Sequence, residues 1–142
     1  MEHKVIIYTD GGSRSNPGPS ALGVVIQIGK EKKEYGVRLG VATNNVAEYK
    51  AVAFALTKSR ELLGAKAKET DIELRTDSEL LHRQMLGQYK VKNAGLKPIF
   101  AEIQELIKNF RAVLFVHVRR EFNKDADRMV NLALDEDKDF TS

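Results

Sequence analysis

Residues 4–9, KVIIYT, constrain this chain more than any other stretch, because they are apolar and β-branched almost without interruption. A strand that is apolar on both faces has to lie inside a sheet with further layers above and below it. The run stops at Asp10, and GGSRSNPGPS at 11–20 is dense in turn formers. ALGVVIQI at 21–28 reads as a second strand. EKKEYGVRLG at 31–40 reads as a third, an edge strand, with a hairpin about Gly29. The three together predict an antiparallel meander.

At Thr43 the period changes. Thr43, Asn44 and Asn45 can cap a helix, and Val46, Ala47, Tyr49, Val52, Leu56 and Leu62 carry an amphipathic pattern to about residue 63. DIELRT at 71–76 is a fourth strand. Asp77-Ser78 opens a short helix through Leu86, and the basic QYKVKN at 88–93 connects it to a helix started by Pro98. AVLFVHV at 112–118 is the fifth strand and NKDADRMVNLAL at 123–134 the last helix. The order βββαβααβα predicts an α/β fold, a mixed five-stranded sheet flanked by helices. One domain over 1–135 is expected, then a frayed acidic tail at 136–142.

With 42% hydrophobic residues in 142, the chain can build one ordinary core. Having no cysteine, it has neither disulfides nor thiolate zinc sites, which fits a reducing interior. The apolar run in MEHKVIIYTD is too short for a signal peptide or a membrane span. A cytoplasmic, free-standing monomer with no membrane partner is expected. The net charge of +3 hides an asymmetry: DEDKD at 135–139 carries −3, so residues 1–134 carry +6. A mildly basic body permits contact with a phosphate backbone.

Four acids stand at ends of elements. Asp10 and Asp77 end the first and fourth strands; Glu48 and Asp127 lie one turn into the first long helix and the last helix. Singly, each has an ordinary reading as a turn or cap residue. Together they can converge at one edge of a sheet, and the two glycines after Asp10 allow close backbone approach there. Gly11 to Gly18 is not a nucleotide-phosphate loop, since it lacks the Gly-Lys-Ser/Thr ending and leads into no helix.

The stretches YTDGGSRSNPGPSALG, TNNVAEYKA, LRTDSELL, YKVKNAGLKP and REFNKDADRMVNLA, in this order from Val5 to about Leu134, resemble the type 1 ribonucleases H. The resemblance implies the ribonuclease H-like fold and an endonuclease acting on the RNA strand of RNA/DNA hybrids. It implies that Asp10, Glu48, Asp77 and Asp127 hold two Mg²⁺ or Mn²⁺ ions, hard cations that prefer oxygen ligands. In that family one ion activates the attacking water and the other stabilises the leaving 3′ oxygen, giving 5′-phosphate and 3′-hydroxyl ends. Asp125 competes with Asp127 for the fourth place; the family spacing of Asn, three residues, Asp favours Asp127, with Asn123 setting the register.

By the same resemblance Asn16, Asn44 and Asn45 face the minor groove of the hybrid, where an amide suits 2′-hydroxyls and base acceptors. Thr43 and Asn93 match positions that bind a DNA-strand phosphate, with Val41 where some members carry a basic residue. The chain departs from many members in having no tryptophan and, in LGQYKVKN, no room for a basic protrusion. Glu79 replaces a glutamine, and an ionised acid cannot donate its hydrogen bond. For the flexible histidine that some members place near the metals, His117 and Arg120 compete. The short RREFN loop is like that of archaeal-type members, where an arginine takes the role, and favours Arg120. Such members sometimes cut RNA/RNA duplexes, which adds double-stranded RNA to the expected partners. His3 and His82 read as surface residues. The competing readings are a catalytically silent nucleic-acid-binding domain, another nuclease of the same superfold such as a resolvase or 3′ exonuclease, and the ribonuclease part of a polyprotein.

Overall fold

The computed structural model describes residues 3–142; the side chain of His3 lies outside the described residues. Strands β1 (His3–Ser13), β2 (Gly18–Ile28) and β3 (Glu31–Ala42) form the meander, each antiparallel to the next. Gly29 turns the β2–β3 hairpin at φ 60°, where a side chain would be strained. Helix α1 (Asn44–Leu63) starts where the Thr43 hydroxyl accepts the Val46 N–H at 3.2 Å. A 3-10 turn (Gly64–Glu69) leads into β4 (Thr70–Thr76), followed by α2 (Glu79–Met85) and α3 (Lys97–Ile107). Then come β5 (Ala112–His117), a 3-10 turn (Arg120–Phe122), α4 (Lys124–Glu136) and β6 (Phe140–Thr141).

The strand order is β5-β4-β1-β2-β3-β6, with β4 parallel to β1 and β5 parallel to β4. β1 is therefore interior, as its apolar run requires. Alternate residues of a strand face opposite ways. Val5, Ile7, Leu22, Val24, Ile26, Ile72 and Leu74 are buried in one core with Tyr49, Val52 and Leu56 of α1 and Ile103 of α3. The intervening Ala21 packs on Val130 and Ala133 of α4. The Tyr49 hydroxyl donates to Gln84 of α2, whose amide donates to the Lys90 carbonyl at 3.4 Å. This joins α1 to the connection that carries Asn93. Among the described residues, no helix is long and apolar enough to cross a membrane.

Two expectations need correction. β1 does not end at Asp10: Gly11, Gly12 and Ser13 pair with Leu22, Ala21 and Ser20, so Asp10 lies within the strand. Cross-strand pairing overrides the turn propensity of the two glycines. The sheet also has six strands rather than five, because the acidic tail is not frayed. After α4, Asp137 adopts φ 51° and reverses the chain. Phe140 and Thr141 then pair with Gly36 and Tyr35 of β3. Ser142 and Glu34 exchange two backbone hydrogen bonds at 2.9 Å. The tail docks because β3 offers it a cation: Arg38 meets Asp137 at 2.9 Å and Asp139 at 3.5 Å, while the Arg38 N–H donates to Asp139 at 2.9 Å.

Ending the chain at Glu136 should therefore cost about 1–2 kcal/mol of stability, which lowers the melting temperature by about 5 °C. A thermal melt of the shortened protein matching that of the whole chain would show that the docked tail contributes nothing.

Candidate active site

The four acids are brought together by main-chain geometry. Thr9 and Thr76 are register partners in the parallel β1–β4 pair, so Asp10 and Asp77 leave adjacent strands side by side. Glu48 comes from the other layer: a Cβ added at Gly11 would stand 2.3 Å from the Ala47 carbonyl carbon and the Glu48 nitrogen. Only a glycine lets α1 sit that close to β1. Asp10 pairs across the sheet with Gly23, where an added Cβ would stand 2.0 Å from the Ala126 oxygen. That contact seats the first turn of α4 and, with it, Asp127. The buried Asn123 completes the registration by donating from its amide to the Thr9 carbonyl at 2.9 Å.

The result is a polar cleft of about 570 Å³ lined by Asp10, Glu48, Asp77 and Asp127, with Asn44, Asn45 and Arg120 beside them. Burial pushes the Asp10 carboxyl up to about 8, aided by the charges of Asp77 and Asp127 and by a hydrogen bond with Asp127. Burial likewise pushes Glu48 up to about 7, against a hydrogen bond from Ser78 that favours its charged form. Among the described residues, no three acidic or imidazole groups are drawn together closely enough to hold one ion. The donor set nevertheless suits a hard divalent cation. It is all carboxylate, and two of its members carry raised pKa values that a cation would reverse. A larger cavity of about 670 Å³ at the far end of β1 offers Lys4, Lys30, Lys33 and Lys66 against the single acid Glu31, a set with no use for a cation.

Comparison with known proteins points the same way. A family model described as reverse transcriptase-like matches residues 8–133. A ribonuclease H of Clostridium botulinum is 32% identical, the alignment covering 94% of this chain and 97% of that protein. The chain belongs to the ribonuclease H family. A bifunctional protein of Mycobacterium tuberculosis is 38% identical over 93% of this chain, which spans only 36% of that relative's length. Among solved structures, LC11-RNase H1, isolated from compost by metagenomics, was crystallised in complex with an RNA/DNA hybrid. It is similar to this chain with a TM-score of 0.87 and 44% identity, over 94% of this chain and 98% of that one.

The ribonuclease H fold separates the residues singled out in the sequence. Asp125 is turned away from the cleft and pairs with Lys32 at 2.9 Å, whereas Asp127 lines it. Arg120 lines the cleft and His117 does not; the His117 ring lies 5.8 Å from that of His82. His82 is half-buried, with Nε2 3.2 Å from the Phe115 carbonyl, so it is not the plain surface residue expected. Asn16 accepts the Asn44 N–H at 3.0 Å, and the Asn44 side chain accepts the Ser13 N–H at 2.8 Å. These amides thus fasten the β1–β2 loop to the start of α1. Thr43 caps that helix, Val41 is 76% exposed, and Asn93 accepts the Gly95 N–H at 2.7 Å outside the cleft lining. Glu79 pairs with Arg83 at 3.0 Å. Sequence reasoning missed Arg14 and Asn131, which also line the cleft. Asn131 was findable, because it lies four residues after Asp127 on one helix face.

The raised pKa values set a direction for pH dependence. In the unfolded chain Asp10 and Glu48 titrate near the ordinary carboxylate range, so the metal-free folded state holds extra protons between about pH 4 and 8. Their contribution to stability is greatest below about pH 4 and is lost as pH rises through 7 and 8. In EDTA at pH 8, Asp10→Asn should match the wild type or exceed it by about 1 kcal/mol, and the gap should close toward pH 4. Thermal melts across that range check this; a mutant melting well below wild type at pH 8 would assign Asp10 a structural role instead.

Proposed function

We propose that this chain is an endonuclease that hydrolyses the RNA strand of RNA/DNA hybrids with two divalent cations, Mg²⁺ or Mn²⁺, held by Asp10, Glu48, Asp77 and Asp127. The observation that carries this reading is the convergence of four carboxylates with Asn44, Asn45 and Arg120 on one cleft. Its support comes from a family in which a close structural relative is seen with such a hybrid. Cations held there would stabilise charge building on the phosphodiester and make water a stronger nucleophile near neutral pH.

The chain's own groups do the rest. The amides of Asn44 and Asn45 stand at the margin of the cleft, where they can bond to 2′-hydroxyls and base acceptors of a minor groove and so tell RNA from DNA. Asn16 supports Asn44 from the β1–β2 loop. Thr43 and Asn93, outside the cleft lining, take a phosphate of the DNA strand, as their match to the family's positions implies. A water molecule gives up one proton as its oxygen bonds to phosphorus, the bond to the 3′ oxygen breaks, and that oxygen takes up a proton, leaving 5′-phosphate and 3′-hydroxyl ends. Arg120 cannot give up its proton, so it acts by charge, holding the phosphate during hydrolysis and release. A chain without cysteine suits a reducing interior, so we place this activity in the cytoplasm, and we assign it to a monomer. Double-stranded RNA is the second substrate to test.

Incubating labelled RNA/DNA, RNA/RNA and DNA/DNA duplexes with Mg²⁺, Mn²⁺ or EDTA tests the reading. Cutting of the hybrid's RNA strand, abolished by EDTA and reduced more than about a thousandfold by Asp10→Asn, is the expected result. Cutting of both strands alike, or cutting in EDTA, would overturn it. Arg120→Ala should lower turnover by about tenfold or more while His117→Ala changes it little; the reverse order, in folded variants, would transfer the role to His117.

A further inference from the structure

We propose that Asn131, braced by Arg14, is a positioning residue that keeps the Asp127 carboxylate turned into the cleft and thereby raises the cleft's affinity for a divalent cation. The inference rests on the reading that Asp127 is a metal ligand. Asn131 lies one turn beyond Asp127 on α4. Its amide nitrogen donates to the Asp127 main-chain carbonyl at 3.1 Å and reaches the Asp127 Oδ2 at 3.4 Å. Its amide oxygen accepts from Arg14 Nη2 at 3.3 Å, and the same guanidinium nitrogen meets Asp135 at 2.7 Å. Arg14, Asn131 and Asp127 all line the cleft.

The chemistry of the middle residue is specific. A guanidinium offers only donors and a carboxylate only acceptors, so the group between them needs an acceptor on one side and a donor on the other. A primary amide has both. An aspartate at 131 would add a like charge beside Asp127, and an alanine would break the link between Arg14 and Asp127, leaving Arg14 with Asp135.

Asp127 needs such help more than the other acids. Asp10 is half-buried within a strand, whereas Asp127 is exposed, so fewer packed neighbours fix its side chain. Fixing that rotor before a cation arrives removes an ordering cost from binding. The brace itself is anchored, since the Arg14 N–H donates to the Pro19 carbonyl at 2.8 Å. Because Asn131 and Arg14 are both exposed, their bonds add little to fold stability, so a loss of affinity can be separated from a loss of fold.

The test is Mn²⁺ binding by isothermal titration calorimetry on the whole protein without nucleic acid, with melts in EDTA. Asn131→Ala should bind Mn²⁺ about tenfold more weakly and melt as the wild type does. Arg14→Ala should lose affinity in the same direction by less. Raising Mn²⁺ should restore Asn131→Ala turnover with the KM for hybrid unchanged. Wild-type affinity in Asn131→Ala overturns the proposal. If Asn131→Ala is poorly folded, Arg14→Ala decides, and undiminished affinity in it overturns the proposal as well. Asp127→Asn separates the underlying reading: if it binds Mn²⁺ as the wild type does, Asp127 is no ligand. If it binds weakly while Asn131→Ala binds normally, only the positioning role fails.

Discussion

Two helices reach this sheet at points where no side chain stands between the backbones, and the placement of Glu48 and Asp127 beside the strand-borne acids follows from that. At Gly11 the first long helix touches β1, and at Gly23 the last helix touches β2, each at a distance that leaves no room for a Cβ. Side-chain packing tolerates small adjustments, whereas main chain against main chain does not. Glu48 and Asp127 are thus referred to Asp10 through peptide groups. The Asn123 bond to the Thr9 carbonyl ties the start of α4 to the residue before Asp10. A cleft built this way holds its register even though its occupants repel one another.

That repulsion works against the fold and for the chemistry. Burial and neighbouring charges make two carboxyls reluctant to ionise, so the metal-free protein carries a local cost that the cores on the two faces of the sheet must outweigh. A divalent cation turns the same arrangement into an attraction. Groups that destabilise the protein alone are those that would bind a cation with the largest gain, which is why the site need not be stable to be well placed.

Much of this was legible in the sequence, for reasons that differ by residue. The nearly continuous apolar run at 4–9 reads as an interior strand, and the change of period at Thr43 marked the helix that carries Glu48. Asp10 and Asp77 stood out because each closes a β-rich run, in IYTDGG and LRTDSE; that both follow a buried threonine at one level of adjacent strands appears only in the folded sheet. What escaped depends on partners remote in the chain. Gly11 and Gly12 look like turn residues until β2 pairs with them. Residues 136–142 look frayed until Arg38, about a hundred positions earlier, neutralises them. Arg14 sat among turn formers with nothing local to indicate the helix it would meet, while Asn131 carried a usable signal in its spacing from Asp127.

The pairing of β6 with β3 also bears on how the molecule is made. Tyr35 and Gly36 wait for Thr141 and Phe140, whereas β1, β2 and β3 are neighbours in sequence and can assemble early. Contacts between such distant positions form late, after the loop entropy has been met by others. During synthesis from the N-terminus, β3 therefore has an open hydrogen-bonding edge until β6 emerges. In that interval, Glu31, Lys32, Lys33, Glu34 and Arg38 are the charges on the strand that discourage a second nascent chain from pairing there.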